Sequence, residues 1–483
     1  MSMYTTTTTG SHQQATGASA KAKGITTILV VGAGVGGLSA AYALRQSKAF
    51  REGLMDVRVV ERRGGGGVDE QEGYPIHLSS SGRQALSALL TPQDLKLLHD
   101  ARSEIPVLHD GLTVSSYTGK QVYRLIRDPC CQPMVERKRL LNILRSSAGE
   151  VEYGVEVKDV RQLAGGKVVV GLDDGGERIV DLVIAADGMF SPVRHSLLSS
   201  VPSAQNQGPV TVKKSEGHAA PDEITRMGYT TINLRTSSSA VVKWVKDPKG
   251  INMIYGDSFS ATLIPLMPSI SATYVNTTAP TNPSTEGTTP VKAVYVALTV
   301  PSKWLEPTFA ARIEQHCDCP QTIAGAFLRD LEHSDGWPTR RGFELWSTSH
   351  TNGGQGRVVL IGDAAHGMVP FCGAGASAAI VDAVQLVNAL DLALRANDNH
   401  HTLDLALNEF RSQSVTRNDP LIVRSKKLLW LAQGDGEVVR IVRRAVFWGL
   451  EMKERIGGER KRLERELQRL SGASKTPKEV IES

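Results

Sequence analysis

The sequence is short of several features, and each shortage excludes a class. It has five cysteines in 483 residues: Cys130, Cys131, Cys317, Cys319 and Cys372. So sparse and odd a set excludes a disulfide-stapled scaffold and points to a reducing compartment. Cys317-Asp-Cys319 has no second pair or histidine at zinc spacing, so no metal site is expected. No window reaches the ~18 uninterrupted apolar residues of a membrane span. The net charge of +5 is too mild to argue for nucleic acid. Residues 1–24 carry no acidic residue, no arginine and no apolar run long enough for a secretion signal. They read as a disordered tail, and the chain as cytoplasmic.

What is present begins with Ile28-Leu-Val-Val31, apolar and mostly β-branched, which suits a buried parallel strand. Gly32, Gly34 and Gly37 follow as G-x-G-x-x-G, with Val35 and Gly36 among them. Leu38, Ala41, Tyr42 and Leu44 then fall at helical spacing. Glycines placed between a strand and a helix form a dinucleotide site. Gly32 permits the tight turn, Gly34 lets a pyrophosphate reach the backbone, and Gly37 lets the helix pack close to the strand. The free N–H groups of the new helix face the phosphates. A second strand, Val57-Arg-Val-Val60, ends in Glu61, 24 residues after Gly37. That is near the spacing of a carboxylate that grips a ribose hydroxyl. Arg62, Arg63 and the glycines Gly64 to Gly67 make a flexible loop beside the site. The pattern alone does not choose between NAD and FAD.

Further along, Glu72 to Ser79 alternates like a half-buried strand and contains His77. Gly82 to Leu90 predicts a helix, and Thr91-Pro-Gln-Asp94 the cap of another. Arg137 leads into a helix with Leu140, Leu141 and Leu144 on one face. Val151 to Val157, Val168 to Leu172 and Ile179 to Ala185 read as strands, and Asp173 to Gly176 as a hairpin turn. Beyond residue 200 helical periodicity gives way to short strands: Tyr229 to Leu234, Ala240 to Val245, Ile251 to Tyr255, Ala261 to Leu266, Ala272 to Asn276 and Lys292 to Val300. A helix is expected at Ile323 to Leu331. The strand Arg357 to Ile361 runs into Gly362-Asp363-Ala-Ala-His366, then Pro370, Gly373 and Gly375, and a helix from about Ala376 to Leu394. The tail from Leu421 is helical. Val438 to Leu450 is apolar with Arg440, Arg443 and Arg444 interspersed, a pattern that suits either packing on the domains or weak contact with a membrane surface.

Three stretches thus stand in order: Gly32-Ala-Gly-Val-Gly-Gly37, Asp187-Gly-Met-Phe-Ser-Pro-Val-Arg194, and Gly362-Asp-Ala-Ala-His366 with Pro370 to Gly375. Together they resemble the class A FAD-dependent monooxygenases, the family of para-hydroxybenzoate and salicylate hydroxylases, over roughly residues 26 to 415. The resemblance implies an α/β fold. A Rossmann-like FAD-binding domain of the glutathione-reductase type occupies 25–199 and returns at 346–415. A mainly antiparallel β-sheet substrate domain is inserted at 200–345, and C-terminal helices follow at 416–483.

It also implies site roles. The first motif takes the ADP half of FAD, with Glu61 on the ribose. Asp187 and Gly188 serve FAD and the nicotinamide cofactor, and Arg194 anchors their turn. Gly362 and Asp363 hold the ribityl chain, Arg137 contacts FAD from above, and Gly73 lies where the backbone passes the flavin. Pro370, Gly373 and Gly375 form the loop against the flat ring, and Ala376 offers the first N–H of the next helix. Ser377, where the family has asparagine, is expected to cap that helix. His366 is read as structural.

The implied reaction uses NADPH or NADH to reduce FAD. Reduced flavin and O2 then give a C4a-hydroperoxide that hydroxylates or epoxidises an electron-rich aromatic or natural-product-like small molecule. His77 is the candidate base for a phenol. Tyr229, Trp244 and Tyr255 are candidate pocket residues. Other flavin chemistry on the same fold (an oxidase, a reductase or a cyclising enzyme) remains the rival, together with a membrane-associated flavin-binding protein. The Trp-x-Trp-x-Ile-Pro signature of flavin halogenases is absent. Oligomeric state is not legible.

Overall fold

The computed structural model describes residues 25–64, 74–99, 111–116, 120–125, 134–199, 224–256, 259–266, 291, 293–305, 343–396 and 399–470. Gly73, the expected strand at 272–276, the expected helix at 323–331, residues 1–24 and every cysteine but Cys372 lie outside them.

The central sheet has six strands, in the order Gly354–Gln355, Val358–Leu360, Leu182–Ala185, Thr26–Val31, Met55–Glu61, Val151–Tyr153. Every neighbouring pair is parallel except the first. Alternate residues of Thr26–Val31 serve two cores. Ile28 and Val30 pack with Leu38, Leu386 and Leu390 of the helical layer, whereas Leu29 and Val31 pack with Val168, Val170 and Val180. Burial on both faces is why this strand reads as an unbroken apolar run. Each such side chain contributes about 1.5–3 kcal/mol. The helices Val35–Gln46 and Gly375–Arg395 form the first layer. The second is the antiparallel sheet Val157–Gln162, Val168–Leu172, Glu177–Val180. Among the described residues only Gly375–Arg395 is long and apolar enough to cross a membrane, and 67% of its apolar stretch is buried in this core.

Three expected strands are corrected. Val151 to Val157 is divided: Val151–Tyr153 belongs to the central sheet, and the next strand starts at Val157 in the three-stranded sheet. Ile179 to Ala185 breaks at Asp181 in the same way. Asp181 Oδ2 accepts from the Thr27 amide at 2.9 Å and the Thr27 hydroxyl at 2.7 Å, and Lys167 lies 2.7 Å from Oδ1. Those bonds pin the point where the chain passes between sheets. Ala240 to Val245 is not a strand but the short helix Ser239–Val242 and the turn after it. The Ser238 carbonyl accepts from Val241 and Val242, which sends Val241 and Trp244 together into a core.

The largest sheet has seven strands, in the order Phe343–Ser347, Thr225–Thr236, Ala293–Pro301, Ser260–Leu266, Ile251–Tyr255, Leu112–Ser116, Gln121–Leu125. It is antiparallel except where Ile251–Tyr255 meets Leu112–Ser116. Its last two strands come from well before residue 200. They are short and largely polar, and they join because Val114 and Tyr123 are covered by Phe447.

The C-terminal helices are Asn399–Gln433 and Gly436–Leu470. The first continues past Pro420, where the sequence suggested a start at Leu421, and Leu407, Phe410, Ile422 and Leu429 are buried along it. The second packs on the seven-stranded sheet. Phe447 stacks against Tyr123 and Tyr255, with ring centroids 6.1 and 5.7 Å apart. Arg443 points inward, donating to the carbonyls of Leu431 at 2.9 Å, Gly434 at 2.8 Å and Gly256 at 3.2 Å.

Candidate cofactor and active site

The glycine turn sits at the carboxyl end of Thr26–Val31. Gly32 has φ +98°, and a Cβ there would lie 2.5 Å from the Ala186 carbonyl oxygen. At Gly37 a Cβ would lie 1.9 Å from the Gly32 carbonyl oxygen, which only glycine avoids. Gly34 differs: nothing lies within 4 Å of where its Cβ would be. It is the N-cap of Val35–Gln46, and no side chain caps that helix end. Gly36 packs on Ala379 behind it. The turn therefore leaves an uncapped helix end facing open space at Gly34, which suits an anion.

Glu61 stands beside this turn. Its Oε2 accepts from the Ala33 amide at 2.8 Å and its Oε1 from the Arg63 amide at 3.1 Å. With Gly32, Arg62, Val155, Glu156 and Asp187 it lines a small pocket. Val155 and Glu156 were not legible as lining residues. A wider hollow of about 370 Å³ between Arg45, Gln46, Arg51 and Ser147 lies elsewhere on the surface. Its Arg45 is spent on the carbonyls of Ala148 and Val57.

Asp187 and Gly188 follow the strand Leu182–Ala185, adjacent to the glycine turn. Asp187 Oδ2 accepts from the Val193 amide at 3.4 Å, whereas its buried Oδ1 has no hydrogen-bond partner. Burial pushes this carboxyl up to about 6, against the pull of Ser191, Val193 and Arg194. Arg194 is buried and donates to the carbonyls of Met189 and, at 2.6 Å, Ala364. It thereby ties the second motif to the third.

Gly362 (φ +59°) ends the strand Val358–Leu360, and Asp363 opens the one-turn helix Asp363–His366. The Asp363 side chain reaches solvent yet is crowded by protein. That crowding raises its carboxyl above the ordinary range, while the charges of His366, Arg137 and Arg194 pull the other way. Pro370–Cys372 forms a 3-10 turn closed by Gly373 (φ +60°). A Cβ on Gly375 would stand 3.8 Å from Asp363 Oδ1. Ala376 lies in the first turn of Gly375–Arg395, whose N-cap, Ala374, supplies no side-chain bond.

Ser377 does not cap that helix as expected. It lies inside the first turn, where its Oγ accepts from the Ser79 amide at 2.9 Å, and Gly82 leaves room for it. Arg137 begins the helix Arg137–Ser147. Its amide donates to the Tyr74 carbonyl, and its guanidinium lies 5.4 Å from the Tyr74 ring centroid. His77 ends the strand Pro75–His77, with Nδ1 3.4 Å from the Gly373 carbonyl oxygen. The fold thus brings His77, Arg137, Asp363, the Pro370–Gly375 turn and Ala376 to one region.

The three pocket candidates separate. Tyr229 packs near Val369 and Phe371, beside the Pro370 turn. Trp244 belongs to the opposite face of the seven-stranded sheet, with Val241, Ile254 and Val296. Tyr255 is partly buried and stacks against Phe447 of the last helix. His366 is fully buried, its Nε2 2.6 Å from Asp382 Oδ2. Asp382 was missed by sequence reasoning, although an acid inside an apolar helix was the available signal. Among the described residues no cluster of His, Cys, Asp or Glu could hold a metal.

The fold and the motif geometry define a dinucleotide-binding α/β protein with a second, large sheet beside the binding edge. Residues 128–416, more than half of the chain, match the family described as the FAD binding domain, and the chain belongs to this family of flavin monooxygenases. It is an FAD-dependent monooxygenase, an enzyme of the oxidoreductase class.

The chain is 25% identical over 440 residues to the FAD-dependent monooxygenase spyC of Aspergillus fumigatus, covering 86% of this chain and 79% of that protein. It is 26% identical over 429 residues to the aurachin C monooxygenase/isomerase of Stigmatella aurantiaca, covering 84% and 90%. Its fold is similar to that of Klebsiella pneumoniae HpxO in the crystal structure with FAD and uric acid: TM-score 0.63, 20% identity, 90% of this chain and 96% of that one. The residues present fit FAD. Gly34 opens a cradle that a Cβ would fill, the adjoining helix end is uncapped, and Asp187 keeps an unpartnered buried oxygen at the same edge.

Proposed function

We propose that this monooxygenase uses NAD(P)H and O2 to hydroxylate or epoxidise an electron-rich, natural-product-like small molecule. The observation that carries the reading is convergence. The ends of Thr26–Val31, Leu182–Ala185 and Val358–Leu360, three adjacent parallel strands, present Gly34, Asp187 and Asp363 at one edge. Open space at Gly34 and the uncapped Val35 helix end would take the pyrophosphate, and Glu61 with Arg62 the adenosine side. Asp363 would hold the ribityl chain, with Arg137 above it and Pro370 to Ala376 against the ring. Bound FAD supplies hydride acceptance and oxygen activation.

The protein's part is to orient and to exclude water. The substrate would lie between the Pro370 turn and the sheet face that carries Tyr229 and Tyr295. His77, beside Gly373, is proposed as the base that takes a phenolic proton. The name of the aurachin C relative joins oxygenation to isomerisation, which supports rearrangement after oxygen insertion as the alternative outcome.

The test is to purify the yellow protein and follow NADPH, NADH, oxygen and peroxide together. Slow oxidation that accelerates with an electron-rich aromatic, without matching peroxide, is expected. A flavin that neither nicotinamide reduces under anaerobic conditions would refute the NAD(P)H step and leave an oxidase.

One observation favours a second reading, weak membrane contact. Val438, Ile441 and Trp448 are 71%, 61% and 67% exposed on the outer side of the last helix, next to Arg444. Failure of the full chain to sediment with anionic liposomes would remove it.

A further inference from the structure

We propose that Asp382 is a positioning residue for the FAD site: held between His366 and Arg417, its carboxylate fixes the amide of Gly362 and so the placement of Asp363. The inference rests on the reading of Asp363 as a cofactor contact.

The geometry is specific. Asp382 is fully buried on the helix Gly375–Arg395. Its Oδ2 accepts from the Gly362 amide at 3.0 Å and faces His366 Nε2 at 2.6 Å. Its Oδ1 accepts from Arg417 at 2.6 Å and from the Asn418 side chain at 3.3 Å. Both oxygens are thus occupied twice. Arg417 is itself held by Gln385, and Asn418 by Ser414. One carboxylate therefore joins three elements: its own helix, the helix Asn399–Gln433 and the turn that carries Asp363.

The turn needs such a hold. Gly362 takes a left-handed backbone angle at the end of a strand, and its neighbour opens a helix of one turn without a side-chain cap. A one-turn helix has little stability of its own, and a buried amide without a partner is costly. Oδ2 answers both needs, because it fixes the amide immediately before Asp363 and also anchors His366, three residues on.

Charge supports the geometry. Burial works against an imidazolium at His366, but the charge and hydrogen bond of Asp382 outweigh it and raise the imidazole above its usual range. Burial likewise opposes ionisation of Asp382, and His366, Gly362 and Arg417 more than offset it. The groups facing the pair are Arg417 from the neighbouring helix and Asp363 on its own turn. Arg137 and Arg194 act on Asp363. The same imidazole lies beside Asp363, and positive charge on it favours the anionic form of that carboxyl.

The experiment compares Asp382→Asn with Asn418→Ala in the full chain. Dissociation constants for FAD are read from quenching of flavin fluorescence, the flavin environment from visible circular dichroism, and Tm from the apoprotein. An amide at 382 must point its NH2 at donors on one side or the other. Asp382→Asn is therefore expected to weaken FAD at least tenfold and change the visible dichroism. Asn418→Ala removes a bond to the same carboxylate without touching Gly362, so it should lower Tm and leave FAD affinity within twofold. If both variants lower Tm and neither moves FAD affinity, Asp382 only joins helices and the proposal falls. If Asp382→Asn does not fold, His366→Gln is read by the same criterion. Wild-type protein that binds no FAD would instead overturn the reading of Asp363 beneath it.

Discussion

Gly34 and Gly37 share one turn, yet replacing each with alanine should give opposite results. At Gly37 the added Cβ meets the Gly32 carbonyl oxygen at 1.9 Å and its carbon at 3.0 Å. Both are backbone atoms of the same turn, so no side chain can move aside. Overpacking of this kind costs about 1–3 kcal/mol and more where backbone must shift. It overrides the roughly 1 kcal/mol by which alanine normally improves on glycine inside a helix. At Gly34 the backbone is at φ −78° and ψ −173°, open to any residue, and nothing lies within 4 Å. Alanine there loses some N-cap preference and gains by restricting the unfolded chain, each by under about 1 kcal/mol. The apoprotein should therefore keep its stability.

Ligand binding reverses the order of interest. The Gly34 methyl would occupy the space through which a phosphate reaches the helix amides. Hydrogen bonds to a charged group are worth about 1.5–3 kcal/mol, and each 1.4 kcal/mol is about tenfold in affinity. Gly34→Ala should thus weaken FAD by about 10- to 100-fold with apoprotein Tm unchanged, while Gly37→Ala should lower the Tm of the apoprotein itself. Scanning calorimetry of both apoproteins and FAD titration of Gly34→Ala decide the matter. If Gly34→Ala binds FAD like wild type, or unfolds as early as Gly37→Ala, the account of the turn is wrong.

Arg443→Ala should weaken the packing of the last helix by about 3 kcal/mol, since a charged donor leaves the carbonyls of Leu431, Ala432, Gly434 and Gly256 and the Tyr255 ring together. Trp448→Ser, at a 67% exposed site, should stay within about 0.5 kcal/mol; urea melts and proteolysis near Gly434 compare the two. For Asp187 the folded carboxyl, near 6, lies above its unfolded value of 3.8. The folded state binds its proton more tightly, so stability is lost as pH rises from about 4 through 6, by on the order of 2–3 kcal/mol. Asp187→Asn should remove that loss, so apoprotein melts from pH 4 to 7.5 should show the variant's advantage over wild type growing as pH rises, with about half of it already present at pH 5. His77→Asn should lower turnover of a phenolic substrate by about 10²-fold or more, with FAD affinity nearly kept because its contact to Gly373 is long. An unchanged kcat pH profile would remove His77 as the base.

What the sequence made legible is local, and what it hid is long-range. The strand Thr26–Val31, the glycine turn, the helix after it and the acid at Glu61 fall within one short stretch, and periodicity with glycine chemistry is enough to read them. The Thr91 cap is of the same kind, its side chain accepting from Asp94 three residues on. Ser377 had the right chemistry for a cap, but the Ser79 amide, far off in sequence, took its hydroxyl. Trp244 was misplaced because Val and Trp suit a strand, while a turn begun at Ser238 set the face it occupies.

Two acids show how much of the long-range order leaves a trace. Asp181 interrupts the apolar run Ile179 to Ala185, and Asp382 interrupts the apolar stretch of Gly375–Arg395. An unpaired charge in either place would cost several kcal/mol, so each residue announces that a partner exists. The partner's identity is another matter. Thr27 is 154 residues from Asp181, and Arg417 is 35 from Asp382. Only the order of the strands and the stacking of two helices decide which donors arrive. An acid inside an apolar run is therefore the readable half of a tertiary contact. Here Asp181 holds a crossing between two sheets, and Asp382 holds the turn that presents Asp363.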